Sequence, residues 1–118
     1  MQLILGGARS GKSRLAEQIA QQLAQPVVYV ATAQALDGEM QARIQHHQQQ
    51  RPEDWGLCEE PIYLAEQLVK LDRPNQTILV DCLTLWMSNL LMHTDPDLQV
   101  QECQKLLDVV GNLQSELI

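Results

Sequence analysis

One segment of the sequence carries glycines, a lysine and a serine at the spacing of a phosphate-binding loop. Residues 6–13 read G-G-A-R-S-G-K-S and match the pattern G-x-x-x-x-G-K-[ST]. The glycines allow a tight turn in which backbone N–H groups converge on phosphate oxygens. Lys12 would contact the β- and γ-phosphates, and the hydroxyl of Ser13 would bind Mg²⁺. The predicted phosphate contacts are Gly6, Gly7, Ala8, Arg9, Ser10, Gly11, Lys12 and Ser13.

The context of this motif supports the interpretation. It follows an apolar run and opens an amphipathic stretch, as a phosphate loop between a strand and a helix does. The alternative interpretation is a glycine-rich turn that leaves Lys12 on the surface.

An aspartate closes the apolar run Thr77–Asp81. An apolar strand that ends in Asp typically supplies a second Mg²⁺ contact beside a phosphate loop. Ligands gather at the carboxyl ends of parallel strands, where Asp81 would lie. The alternative is that Asp81 caps the helix predicted over residues 83–92.

Two adjacent histidines lie in a stretch with helical periodicity. His47 shares a helical stripe with Ile44, whereas His46 points about 100° away. Arg43 and Arg51 stand four residues to either side of His47, so all three side chains could face one anion. A neutral imidazole is a competent nucleophile toward phosphorus. The alternative is a half-buried histidine that lines a helix face.

The elements that would position these residues alternate between strands and helices. Strands are predicted at residues 2–5, 27–31 and 77–81, and a short strand is predicted at residues 57–59. Helices are predicted at 12–24, about 38–50, 61–71, 83–92 and from 98 to the last residue, with no strand after the last helix. This order predicts an α/β fold with a mainly parallel sheet and helices on both faces.

Composition excludes several classes of protein. The chain has 118 residues and 45% apolar residues, which suits one domain with a real core. Its net charge of −7 argues against a general nucleic-acid binder. The charge is unevenly distributed. Residues 1–51 have five basic and three acidic side chains, so the negative net charge comes from residues 52–118. No apolar run is long enough to span a bilayer, and three scattered cysteines favour a reducing cytoplasm over a disulfide framework.

Four blocks of sequence together resemble one enzyme family. They read GGARSGKS, YVATAQ, DGEMQARIQHHQQQRPEDW and VDCLTLWMSNLL, and they cover most of residues 1–92. The chain is similar to the bifunctional adenosylcobinamide kinase / adenosylcobinamide-phosphate guanylyltransferase family. The resemblance implies a P-loop NTPase-like fold, ATP or GTP and Mg²⁺, the substrates adenosylcobinamide and adenosylcobinamide phosphate, and a homotrimer.

The resemblance also implies two reactions. In the first, a nucleoside triphosphate gives its γ-phosphate to a hydroxyl of adenosylcobinamide. In the second, a histidine attacks the α-phosphate of GTP and carries GMP to the phosphorylated cobinamide. The family's nucleophile precedes the Arg-Pro pair by four residues, which makes it His47 and not His46. The resemblance further implicates these residues in nucleotide contacts: Ala31, Thr32, Ala33, Gln48, Gln49, Gln50, Arg51, Glu59 and Asp81.

The chain departs from the family pattern in two ways. Gln48 stands where the family usually has a basic residue, and family members continue well beyond residue 118. We therefore expect residues 1–118 to be a single P-loop nucleotide-binding domain that corresponds to the N-terminal two thirds of the family fold, with C-terminal strands missing. Two other hypotheses stay open: a nucleotide-binding module of this family without catalysis, and an unrelated P-loop small-molecule kinase.

Overall fold

The structure is a computed structural model that describes residues 1–5, 11–33 and 54–118. Helices and strands alternate through most of the described chain. In chain order they are α1 (Lys12–Gln22), β1 (Val27–Ala31), β2 (Gly56–Glu59), α2 (Leu64–Leu71), β3 (Thr77–Asp81), α3 (Leu83–Leu91), α4 (Leu98–Val110) and β4 (Glu116–Leu117).

The four strands form one parallel sheet in the order β2-β1-β3-β4. β1 and β3 pair along their full lengths, from Val27 opposite Thr77 to Ala31 opposite Asp81. Parallel neighbours need crossover connections, and helices supply them here. The predicted α/β class with a parallel sheet is therefore confirmed.

Alternate side chains of β1 and β3 enter two separate apolar clusters. On one face, Val27, Tyr29 and Leu79 pack against Ala16 and Ala20 of α1. On the other face, Val30 and Ile78 pack against side chains from the remaining helices. Those side chains are Leu64, Leu68, Trp86, Leu90 and Leu98. Helices thus cover both faces of the sheet, as predicted.

Several predicted elements agree with the structure to within two residues. The strands Val27–Ala31 and Thr77–Asp81 are confirmed at both ends, and the short strand begins one residue early, at Gly56. The first helix ends at Gln22 and the helix that starts at Leu83 ends at Leu91. The helix predicted over residues 38–50 lies outside the described residues.

The prediction of a buried strand over residues 2–5 is wrong. The side of β3 that faces away from β1 is occupied by β4, so residues 2–5 lie outside the sheet. The N–H of Gln2 donates to the carbonyl of Leu117 at 2.8 Å, while Leu3 and Leu5 are 67% and 83% exposed. Their apolar character alone did not place them in the core.

The helix predicted from Pro61 begins later, at Leu64. The carboxylate of Glu60 accepts the N–H groups of Ile62 and Tyr63, each at 3.1 Å. Backbone N–H groups at the start of a helix need acceptors. Glu60 satisfies these two in a turn, and Pro61 therefore lies in that turn and not in α2.

The prediction that the last helix continues to residue 118 is also wrong. α4 ends at Val110, and the chain then turns into β4. The carboxylate of Asp72 accepts the N–H groups of Gln114 (2.9 Å) and Ser115 (2.8 Å) and so fixes the approach to β4. Leu117 has helical spacing relative to α4, but it reaches the core from a strand.

Two further features bear on the class of protein. None of the helices in the described ranges is long and apolar enough to cross a membrane. Cys58, Cys82 and Cys103 are free thiols and half-buried, as expected for side chains in or near an aliphatic core.

A pair of neighbouring residues on α2 tests the packing on the second face. Leu68 is fully buried, whereas Val69 is 58% exposed. We expect Leu68→Ala to lower the free energy of unfolding by about 2–5 kcal/mol, because the substitution leaves a cavity. Val69→Ala should change it by less than about 0.5 kcal/mol. Urea denaturation measures both, and equal effects would contradict this assignment of the core.

The turn before β4 predicts a pH dependence. The N–H of Gln114, and then that of Ser115, hold the pKa of Asp72 below its ordinary value of 3.8. These bonds favour the ionised carboxylate, so their stabilising effect is complete above the unfolded-state pKa and is lost as pH falls through the lower folded-state pKa.

We therefore compare the wild-type chain with Asp72→Asn in urea denaturation across pH. The difference in unfolding free energy should be constant from about pH 7 to about pH 5 and shrink toward about pH 2. Asp108→Asn, which removes an exposed carboxylate of α4, is the control. A difference of the same pH dependence in the control would contradict the role of Asp72.

Candidate functional site

Three predicted site residues lie side by side at the carboxyl end of the sheet. Ala31, the last residue of β1, pairs with Glu59 of β2 on one side and with Asp81 of β3 on the other. Residues in register on parallel strands project to the same face, which here is the face covered by α1. With neighbouring strands about 4.8 Å apart, the backbones of Glu59 and Asp81 are about 10 Å apart.

The start of α1 lies on this face of the sheet. Gly11 precedes the helix with φ 83°, a left-handed conformation that favours glycine. α1 then begins at Lys12 and packs against β3. Gly11 provides no side-chain hydrogen bond that would cap the helix. The first N–H groups of a helix have no acceptor within the helix itself. Such a helix start favours an anion.

Asp81 is held by a tyrosine from the neighbouring strand. The hydroxyl of Tyr29 donates to Oδ2 of Asp81 at 2.5 Å. Tyr29 pairs in register with Leu79, two residues before Asp81, so both polar side chains are on the α1 face. Tyr29 is 4% exposed, and its ring belongs to the apolar cluster beneath α1.

The residue after β1 joins the turn after β3. Thr32 is fully buried. Its hydroxyl donates to the carbonyl of Cys82 at 2.6 Å and accepts the N–H of Cys82 at 2.9 Å. Its own N–H donates to the carbonyl of Asp81 at 3.1 Å. These bonds fix the backbone that directly follows the Asp81 side chain.

Two side chains of α3 hold the segments that follow β1 and β2. The amide of Asn89 donates to the carbonyls of Thr32 (2.7 Å) and Pro61 (3.1 Å). The indole N–H of Trp86 donates to the carbonyl of Ile62 at 2.8 Å. Buried carbonyls need donors, and these contacts supply them. They therefore fix the loops that follow β1 and β2, next to the row formed by Glu59, Ala31 and Asp81.

The structure brings together part of the predicted site. Ala31, Thr32, Ala33, Glu59 and Asp81 lie at the carboxyl ends of adjacent strands, and Gly11 and Lys12 begin the helix beside β3. Thr32 has no exposed surface, so its predicted direct contact with a nucleotide has no support in this arrangement. Other predicted residues lie outside the described residues: Gly6, Gly7, Ala8, Arg9, Ser10, His47, Gln48, Gln49, Gln50, Arg51 and the side chain of Ser13.

Sequence reasoning missed the residues that support Asp81. Tyr29, Cys82, Trp86 and Asn89 were not predicted as site residues, yet each contacts the row or the loops beside it. Strand alternation contains a usable signal for Tyr29, since it lies two residues before Ala31 and thus on the same face. The helical residues carry no such signal, because their partners come from distant loops.

The carboxylate of Asp81 is suited to a divalent cation that is also bound by the phosphates of a nucleotide. In residues 1–5, 11–33 and 54–118, no three His, Cys, Asp or Glu side chains form a group that could enclose a metal ion. Mg²⁺ in phosphoryl-transfer sites uses one or two carboxylates together with phosphates and water. The carboxylate of Asp81 at the carboxyl end of β3 fits this donor set.

The fold and the site together define a class of protein. A parallel sheet covered by a helix that begins at Lys12, within the motif at residues 6–13, is typical of a phosphate-loop α/β fold. A sequence model of one family, described as cobinamide kinase / cobinamide phosphate guanyltransferase, matches residues 2–118. The chain belongs to this family.

Curated relatives agree with this assignment. The chain is 50% identical over 116 residues to the bifunctional adenosylcobalamin biosynthesis protein CobP of Pseudomonas aeruginosa, a match that covers 98% of the chain and 67% of the relative. It is 46% identical over 101 residues to the bifunctional adenosylcobalamin biosynthesis protein CobU of Escherichia coli, covering 82% and 55%. The CobU of Salmonella typhimurium is 48% identical over 91 residues, covering 77% and 50%. The chain spans between half and two thirds of the length of these relatives.

The two bonds donated by Asn89 predict a loss of stability on substitution. Asn89→Ala would leave the carbonyls of Thr32 and Pro61 without this donor, which should lower the free energy of unfolding by about 1–3 kcal/mol. Asn112→Ala, which removes a bond from an exposed amide to the carbonyl of Asp108, is the control and should have a smaller effect. Hydrogen exchange should show faster exchange after β1 and β2 in Asn89→Ala alone. Unchanged exchange there would contradict the role of Asn89.

Proposed function

We propose that this chain carries out the two reactions named in the description of its family. It phosphorylates adenosylcobinamide with ATP or GTP, and it then transfers GMP from GTP to the product, giving adenosyl-GDP-cobinamide in cobalamin biosynthesis. The observation that carries the proposal is the row Glu59, Ala31 and Asp81 beside the start of α1, in a chain that matches the family over residues 2–118.

In the kinase step, the substrate hydroxyl attacks the γ-phosphorus and the bond to the β-phosphate oxygen breaks. Backbone N–H groups of residues 6–13 hold the phosphates, and Lys12 neutralises charge on the β- and γ-phosphates. Ser13 and Asp81 are the proposed ligands of Mg²⁺, which supplies further charge neutralisation when bound. Support comes from Asp81 and the start of α1, which lie on one face of the sheet.

In the second step, a ring nitrogen of His47 attacks the α-phosphorus of GTP. A P–N bond forms, the bond to the β-phosphate oxygen breaks, and pyrophosphate leaves. The phosphate of adenosylcobinamide phosphate then attacks the same phosphorus, the P–N bond breaks, and His47 is regenerated. Gln48, Gln49, Gln50 and Arg51 contact the nucleotide, and Arg51 neutralises charge on the transferring group.

Recognition of guanine is assigned to the β2 end of the row. Glu59 is exposed, and a carboxylate accepts hydrogen bonds from the N–H groups on the edge of guanine. Ala31 and Ala33 are small residues that let a nucleotide approach the strand ends closely. Thr32 acts between them through its internal hydrogen bonds and not through a direct contact.

The proposal extends to assembly and location. Exposed apolar side chains on α3, α4 and the residue after α3 offer surface for a homotrimer: Leu91 (63%), Met92 (73%), Val100 (72%) and Leu107 (69%). Free thiols and an acidic net charge suit a cytoplasmic enzyme whose partners are small molecules and not nucleic acid.

A second candidate function is a nucleotide-binding module of the same family without turnover. The unrelated small-molecule kinase considered from the motif alone is disfavoured by the family match over residues 2–118.

The guanylyltransferase half is tested with GTP labelled at the α-phosphate. Incubation with Mg²⁺ and denaturing electrophoresis should leave acid-labile label on the wild-type chain and on His46→Ala, and background label on His47→Ala. The physical reason is that a phosphoramidate to His47 survives denaturation while bound GTP does not.

Binding of a fluorescent GTP analogue is measured in parallel. Label on His47→Ala equal to wild type would overturn the assignment of the nucleophile. Binding without label on the folded wild-type chain would favour the module without turnover.

A further inference from the structure

Residues outside β3 hold both the side chain and the backbone of Asp81 in place. Tyr29 donates to Oδ2 from the neighbouring strand. Thr32 binds the carbonyl of Asp81 and both backbone groups of Cys82. The side chain and the backbone of Asp81 are thus fixed by separate residues that approach from opposite faces of the sheet.

The two faces follow from strand alternation. Tyr29, Ala31 and Asp81 project to the α1 face, and Thr32, one residue beyond Ala31, continues to the other face. There Thr32 meets Asn89 of α3, whose amide donates to its carbonyl. The backbone N–H, the carbonyl and the hydroxyl of Thr32 are therefore all used inside the protein.

Tyr29 and Thr32 are both buried, which protects the hydrogen bonds of their hydroxyl groups from water. Tyr29 is 4% exposed and Thr32 is fully buried, so neither hydroxyl can exchange its partner for bulk water without a local opening of the structure. A hydrogen bond from a phenol to a carboxylate restricts the orientation of that carboxylate and therefore the directions of its other lone pairs. Groups that bond a metal-ligating carboxylate in this way commonly set metal affinity.

We propose that Tyr29 and Thr32 are positioning residues for the carboxylate of Asp81, and that they set the affinity of the site for the divalent cation bound with the nucleotide. This inference rests on the metal role of Asp81 under the proposed function. A purely structural role for Tyr29 would change folding stability but leave the affinity for the cation untouched.

Measuring the affinity for a divalent cation in the absence of turnover distinguishes the positioning role from a purely structural role. Mn²⁺, a paramagnetic substitute for Mg²⁺, is titrated by electron paramagnetic resonance into the complex with the β,γ-imido analogue of GTP. All variants carry His47→Ala, which removes the proposed nucleophile. Tyr29→Phe keeps the ring in the apolar cluster and removes only the hydroxyl, and Tyr63→Phe removes the hydroxyl of a 42% exposed tyrosine outside the row.

The expected result is a weakening of Mn²⁺ affinity by about 10- to 100-fold in Tyr29→Phe, with no change in Tyr63→Phe. Thr32→Val should weaken Mn²⁺ binding, and Thr32→Ser, which keeps a hydroxyl, should largely restore it. Affinity for the nucleotide without metal should stay within about twofold in Tyr29→Phe, because the proposed effect of the hydroxyl acts through the carboxylate of Asp81.

The reference variant Asp81→Asn distinguishes the two ways to fail. If Asp81→Asn binds Mn²⁺ as the parent does, the metal role under the proposed function is wrong. If Asp81→Asn weakens Mn²⁺ binding while Tyr29→Phe and Thr32→Val match the parent, the positioning role is wrong and the proposed function stands. Urea denaturation of each variant confirms that the comparison is between folded proteins.

Discussion

The parallel pairing of β1 with β3 is the constraint on which the rest of the structure depends. It runs the full length of both strands and places Ala31 opposite Asp81. Since parallel strands end at the same side of a sheet, this register gathers residues that are 50 positions apart in sequence into one row. A shift by one residue would send every side chain of a strand to the opposite face. Such a shift would disrupt both the row of residues at the strand ends and the two apolar clusters.

The two faces of the sheet hold different sets of predicted site residues and their supporting contacts. The α1 face holds Asp81, Tyr29 and the helix start at Lys12. The other face holds the contacts of Thr32, Cys82 and α3, which fix the loops after the strands. The hydroxyl of Thr32, the amide of Asn89 and the indole N–H of Trp86 are each bonded within the protein.

Local sequence patterns predicted those elements whose environment resembles their composition. Thr77–Asp81 and Val27–Ala31 are apolar and buried, and both strands were predicted at their observed ends. Residues 2–5 have the same apolar character, but β4 occupies the neighbouring position beside β3 and leaves them outside the sheet. Helical spacing likewise fitted Leu117, while Asp72 and Ser115 turn the chain into a strand there. Contacts between distant residues decided both cases, and no local pattern contains them.

The sequence by itself determined the class of the fold, the phosphate-loop motif and the family, because each depends on short runs of residues with a characteristic spacing. It also predicted Asp81 as a site residue. Only the tertiary structure decided which residues hold Asp81 in place and that Thr32 is buried. It also decided that Glu59 shares a face with Asp81. The physical reason is that hydrogen bonds between strands and from α3 join residues far apart in the chain, and the register that brings them within bonding distance is a property of the whole sheet.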